Sequence, residues 1–246
     1  MKRMISIVLA LVLIFALMTP LYAATAPTLT KCSITTSELA TFNYLLYTPA
    51  NATPNMPLLV YLHGGSGKGD NLDLLTANDG FPKYLQDGTL GSIPAYVVIP
   101  QLPSSKKGWA DVKVSLKELI NSISTTYAIN AKKISLTGHS MGGTGTWSIA
   151  VSYPGLFSCI APLSGSIQNT TANVTALSKM PVWAFVGYAD TIVDPTQSEN
   201  FITSLKAVNS AAQITIFDGA THFDVPALTY LDKNINIVNW LISNSK

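Results

Sequence analysis

Short apolar runs rich in β-branched and aromatic residues alternate along this chain with longer stretches in which apolar positions recur every three or four residues. Residues 42–47, 58–62, 95–99, 134–137, 159–163, 182–186 and 213–217 have the length and composition of strands. Residues 112–127, 142–153, 197–207 and 227–243 have helical periodicity. Within the first of these helices Val112, Leu116, Leu119, Ile120 and Ile123 fall on one stripe, so one face is expected to be buried. Strand-helix alternation of this kind predicts an α/β fold, with a mostly parallel central sheet and helices on both faces. The Pro-rich joints at 49–57 and 94–103 read as loops between elements of one domain, and no internal repeat or linker divides the chain.

The N-terminus departs from this pattern. Met1-Lys2-Arg3-Met4 precedes an apolar run from Ile5 to Met18, and Ala23 and Ala24 follow shortly after. This is the arrangement of a secretory signal peptide over residues 1–23, with cleavage expected after Ala23 and Ala24 as the alternative. The run falls short of the roughly 20 apolar residues that a membrane span needs. The expected mature chain, 24–246, is a single catalytic-size domain that is extracellular and free of the membrane. Only 11% of residues are charged and the formal net charge is +2, so no strong field is available to recruit nucleic acid or anionic lipid. Hydrophobic residues make up 48% of the chain, enough for a sizeable core. The two cysteines, Cys32 and Cys159, are permitted a disulfide in an oxidising compartment, although Cys159 also reads as a small buried hydrophobe on a strand. Asn51, Asn169 and Asn173 head Asn-x-Ser/Thr sequences.

The densest chemical signal is Lys133-Ile134-Ser135-Leu136-Thr137-Gly138-His139-Ser140-Met141-Gly142-Gly143. It reads strand, sharp turn, helix, with Gly-x-Ser-x-Gly at the turn. In that context the serine projects from the carboxyl edge of the sheet, and the flanking glycines let backbone pass closely. The helix beginning at Met141 aims its amides and positive dipole end at the same place, where an oxyanion would develop.

A serine hydroxyl needs a base, and of the three histidines only His222 follows Ser140, as the order nucleophile, acid, base requires. His139 is read as a packing or rim residue and His63 as shaping the glycine loop that follows it. The acid must lie between Ser140 and His222. Asp190 comes directly after a strand and the turn Gly187-Tyr188-Ala189, with Asp194 as its rival; Glu199 falls on a predicted helix and Asp218 lies too near His222 in sequence. The strand at 58–62 runs into His63-Gly64-Gly65-Ser66-Gly67, and the backbone amides of Gly65 and Met141 are assigned to an oxyanion hole, with Ser66 as the alternative to Gly65. That loop lacks the spacing of a nucleotide-binding loop. Trp109 is a candidate aromatic wall for substrate beside Ser140, or else a partly buried loop tryptophan. The histidines are far apart and no His-Glu-x-x-His helix occurs, so neither a metal nor any other cofactor is implied.

Taken together, Leu62-His63-Gly64-Gly65, Ile99-Pro100-Gln101, Leu136 through Trp147, Pro181-Val182-Trp183-Ala184-Phe185 and Gly187-x-x-Asp190-x-x-Val193 resemble the secreted esterase and predicted peptidase group of α/β-hydrolases. That group is similar to feruloyl and acetyl-xylan esterases and to poly(3-hydroxybutyrate) depolymerase-like proteins. The resemblance implies the α/β-hydrolase fold and a Ser-Asp-His triad whose aspartate falls on Asp190. It also implies short-chain or carbohydrate-linked ester substrates, small or polymeric, with peptide hydrolysis on the same triad as the alternative. His139 before the serine and Phe223 after the base are departures that bear on substrate choice.

Overall fold

The computed structural model describes residues 26–78 and 80–246. The signal segment expected at 1–23 lies outside the described residues. The elements, in chain order, are β1 (Thr28–Ile34), β2 (Phe42–Thr48), β3 (Leu58–Leu62), α1 (Phe81–Gln86), β4 (Tyr96–Pro100), α2 (Lys113–Thr126), β5 (Ile134–His139), α3 (Met141–Ser152), β6 (Cys159–Leu163), α4 (Thr171–Leu177), β7 (Val182–Gly187), α5 (Pro195–Lys206), β8 (Ala212–Phe217), α6 (Val225–Tyr230) and α7 (Ile237–Ser243).

The strands form one sheet in the order β1-β2-β4-β3-β5-β6-β7-β8. The β1/β2 and β2/β4 pairs are antiparallel and all pairs from β4 to β8 are parallel. Helices cover both faces, as the alternation predicts. One apolar layer gathers Leu116, Leu119 and Ile120 of α2, Trp147 of α3 and Phe201 and Leu205 of α5. The other gathers Phe81 of α1, Val225 and Tyr230 of α6, and Ile237 and Leu241 of α7. Every residue of β3, β4 and β6 is buried, which explains why these strands read as continuous apolar runs rather than alternating ones.

Several elements differ from the sequence reading. Strand β1 was not expected, because it is an edge strand of partly exposed Thr, Lys and Ser residues held by its ladder to β2. The helix expected over 227–243 is two helices, α6 and α7, separated at Asp232 to Asn236, where Asn236 takes a left-handed conformation (φ 47°, ψ 45°). The short α1 and α4 carry too few turns to show a period. The disulfide permitted by composition does not form. Cys32 on β1 and Cys159 on β6 have four strands between them, about 24 Å at the usual strand spacing, and both thiols are free. Burial pushes the Cys159 thiol up to about 12.

This topology fixes where a site can lie. From β3 the chain crosses to β4 on one side and then to β5 on the other, so β3 and β5 flank the point at which the winding direction reverses. The crevice outside their carboxyl ends is the one place where loops leave in opposite directions and open a cleft. The segments at those two ends are His63 to Gly67 and Ser140.

Candidate active site

Ser140 joins β5 to α3 with φ 60° and ψ −121°, a conformation rare for any residue with a side chain. Such a backbone costs on the order of 1–3 kcal/mol and persists only where the surroundings impose it. Here the Ser140 amide donates to the Leu163 carbonyl at 3.0 Å, and its carbonyl accepts from the Thr144 amide at 2.9 Å. The two motif glycines are required by contact rather than by their own torsions. A Cβ on Gly138 would lie 2.5 Å from the Leu62 carbonyl oxygen, and one on Gly142 would overlap that oxygen outright. The turn can therefore close onto the end of β3 only because both positions lack a side chain.

His222 is 3% exposed and sits in the loop between β8 and α6. Its Nδ1–H donates to Asp190 Oδ2 at 2.7 Å. The second carboxylate oxygen of Asp190 accepts from the Ile192 and Val193 amides, each at 2.9 Å. Burial by itself raises the Asp190 carboxyl, but the N–H donors of Val193, His222 and Ile192 outweigh it and hold the group below the ordinary carboxylate range. Asp194 is engaged elsewhere: it caps α5, with its carboxylate accepting from Thr196 N at 3.0 Å and Thr196 Oγ1 at 2.8 Å. The rival acids are thus separated by geometry, and Asp190 is the one joined to His222.

The other two histidines are braces. His63 Nδ1–H donates to the Gly64 carbonyl at 2.6 Å, and its Nε2 accepts from the Leu102 amide at 2.9 Å, an arrangement that only the neutral ring can make. His139 Nε2–H donates to the carbonyl of His222 at 2.9 Å, and the two rings lie 4.6 Å apart. Desolvation pushes both rings down to about 4; for His139 the neighbouring His222 adds to the effect, while backbone hydrogen bonds partly oppose it. His139 therefore does more than pack at the rim, since it ties the Ser140 turn to the His222 loop.

The expectation of an aromatic wall at Trp109 is corrected. Trp109 is 1% exposed, its Nε1–H donates to the His63 carbonyl at 3.1 Å, and its ring packs edge to face on His63 and against Gly145. It supports the glycine loop from behind. Gln101 does so from the side, donating from Nε2 to the Gly67 carbonyl at 2.9 Å.

Ser140, His222 and His139 line one cavity of about 520 Å³. Its lining also includes Gly64, Gly65, the polar Ser66 and Asn78, and the apolar Ile192, Phe223 and Pro226. Phe223 is 74% exposed and Ile192 58%, an uncommon degree for large apolar side chains at the mouth of a cleft. Asn78 and Ile192 escaped sequence reasoning because neither belongs to a motif; Phe223 was legible only through its adjacency to His222. Gly65 and Met141 each begin a helical turn, so their amides lack a partner inside that turn. Among the described residues no cluster of His, Cys, Asp and Glu could hold a metal ion.

Comparison with known proteins agrees with this architecture. The chain is similar to a bifunctional acetylxylan esterase/xylanase of Neocallimastix patriciarum, at 26% identity over 171 residues that cover 65% of this chain and 23% of that protein. It is also similar to cutinase 1 of Thermobifida cellulosilytica, at 31% over 115 residues covering 46% and 42%. The chain spans less than half the length of these curated relatives. Among solved structures, a thermostable esterase superposes with a TM-score of 0.74 at 22% identity, covering 89% of this chain and 63% of that one. The feruloyl esterase module from Clostridium thermocellum superposes with 0.66 at 17%, covering 89% and 88%. At these identities the two structures speak to the fold, which is that of the α/β-hydrolases. The dienelactone hydrolase family model matches residues 101–227, just over half of the chain and a span that includes Ser140, Asp190 and His222. The chain belongs to the dienelactone hydrolase family of α/β-hydrolases.

Proposed function

We propose that this protein is a secreted serine esterase that hydrolyses short-chain or carbohydrate-linked carboxylic esters through an acyl-enzyme. The observation that carries the reading is the buried Asp190–His222 hydrogen bond at the same cavity as a serine held in a strained turn. Because Nδ1–H is committed to Asp190, the proton-accepting nitrogen of His222 is Nε2, the one left for the Ser140 hydroxyl. Ser140 Oγ attacks the ester carbonyl as His222 takes its proton, and Asp190 stabilises the imidazolium without itself becoming protonated. The negative charge that develops on the carbonyl oxygen is met by the Gly65 and Met141 amides. Each such donor is worth about 10² to 10³ in rate. His222 then returns the proton to the departing alcohol, and a water repeats the sequence to release the acid. No hydrogen bond joins Ser140 Oγ to His222 among the described residues, which is common before substrate closes the geometry.

The mixed polar and apolar lining of the cavity supports a substrate that carries both characters. Ser66 and Asn78 offer hydrogen bonds to a hydroxylated alcohol such as a sugar, and Ile192, Phe223 and Pro226 offer a shallow apolar wall for an acyl group. The likeness to an acetylxylan esterase and to a feruloyl esterase module supports the same substrate class, and the signal-like N-terminus supports export toward a polymer that cannot enter a cell. The deciding experiment is hydrolysis of p-nitrophenyl esters from acetate to palmitate, methyl ferulate and acetylated xylan by wild type and Ser140→Ala. Serine-dependent release of acetate or ferulate is expected. Turnover that survives in Ser140→Ala, or faster cleavage of a matched amide than of the ester, would refute the proposal.

A further inference from the structure

A groove of about 380 Å³, separate from the catalytic cavity, lies where β7 begins and α7 packs on the sheet. Trp183 and Trp240 line it, both half-buried, with their rings edge to face at 5.7 Å. Trp183 is held in place, since its Nε1–H donates to Thr215 Oγ1 at 2.9 Å and Phe185 stacks beneath it at 5.2 Å. Ile235, Asn236, Asn239, Ser243 and Asn244 complete the lining, and no charged side chain takes part.

The amides are largely unspent. Asn236 precedes α7 without making a capping bond, and no other hydrogen bond engages its side chain among the described residues. Asn239 uses only Oδ1, which accepts from Ser243 Oγ at 3.3 Å, and Asn244 uses only Nδ2, which donates to the Trp240 carbonyl at 2.7 Å. Planar donors and acceptors thus stand beside two indole rings, with no ion pair to make.

We propose that this groove is a second, non-catalytic binding site for a neutral β-linked pyranoside chain. A flat pyranose ring presents polarised C–H groups to an aromatic face, whose quadrupole is negative. Its equatorial hydroxyls both donate and accept, which matches side-chain amides at both ends. A phosphate, nucleotide or acidic peptide would find no cation here. An apolar protein partner would strand three amides, at about 1–3 kcal/mol for each group left unpaired. Trp183 stands four residues before Gly187 on β7, about 13 Å from the catalytic end of that strand, so the site would hold polymer at a distance from the reacting ester. Its benefit to turnover rests on the polysaccharide-ester reading above; the binding itself does not.

The test is native affinity electrophoresis of wild type and Ser140→Ala through gels containing soluble xylan, hydroxyethyl cellulose or no polymer. It is repeated with the double variant Asn236→Gly/Asn239→Ala, in which glycine tolerates the left-handed backbone. The proposal expects both active and Ser140→Ala proteins to be retarded by one or both polymers, and which gel retards them identifies the chain. The double variant should bind roughly five- to tenfold more weakly, as loss of a neutral hydrogen bond predicts. Its melting temperature and p-nitrophenyl acetate turnover should match wild type. Absence of retardation for the folded wild type overturns the site. So does retardation unchanged in the double variant, which places binding elsewhere, or a dimer that the double variant abolishes, which makes the groove a self-interface. Retardation without any serine-dependent ester turnover would refute the esterase reading and leave this site standing.

Discussion

Lowering the pH from 7 to 5 should destabilise the fold, and His63 and His139 are the reason. Each is buried neutral, with protonation pushed down to about 4 in the fold against about 6.5 in an unfolded chain. The folded pKa lies below the unfolded one, so the unfolded chain takes up protons first as pH falls. Stability is therefore full above about 6.5 and is lost progressively toward 4. The hydrogen bonds explain why the folded rings resist. A proton on His63 Nε2 would confront the Leu102 N–H that it now accepts, and a charged His139 would lie against His222. At pH 5 each histidine has lost about 2 kcal/mol, from 1.36 kcal/mol per pH unit over roughly 1.5 units. Two such losses shift the midpoint by on the order of 10 °C in a protein of this size. Thermal melts followed by circular dichroism at pH 7, 6 and 5 measure this directly. A midpoint constant within about 2 °C over that range would mean that neither ring is held neutral, and the brace assignment would fall with it.

Further expectations follow from the same geometry. Asp190→Asn should keep its oxygen on the Ile192 and Val193 amides, because a flip would set N–H against two N–H donors; its NH₂ then faces His222 Nδ1 and enforces the wrong tautomer. Turnover of p-nitrophenyl acetate should fall about 10⁴-fold with the fold intact, and a loss under tenfold would exclude Asp190 as the orienting acid. Asp194→Ala should lose about 1 kcal/mol of stability through the α5 cap, with turnover near wild type; denaturant midpoints and kcat together separate these outcomes. Gly142→Ala drives a Cβ into the Leu62 carbonyl, a backbone atom that cannot step aside, and should cost on the order of 3 kcal/mol or more. A denaturant midpoint close to wild type for that variant would show that the turn has slack the contacts do not suggest.

What the sequence determined by itself was local. Strands β2 to β8 could be read because apolar runs of four to six residues between turn signals have few other uses, and the Gly138-to-Gly142 turn because no other residue type permits that approach to β3. The order of Ser140 and His222 along the chain likewise left one histidine as the candidate base. Tertiary structure decided whatever depended on which neighbour a side chain meets. Asp190 and Asp194 stand four residues apart with similar surroundings in sequence, and only folding shows one bonded to His222 and the other spent on a helix cap. Trp109 reads equally as an aromatic wall or a partly buried loop residue until its indole is seen donating to the His63 carbonyl. Strand β1 has little hydrophobic signal because its stability comes from the β2 ladder, and Asn78 reaches the cavity through a loop whose path no local pattern encodes. Periodicity and steric permission are properties of a segment, whereas hydrogen-bond partnership and burial belong to pairs of segments that meet only in the folded chain.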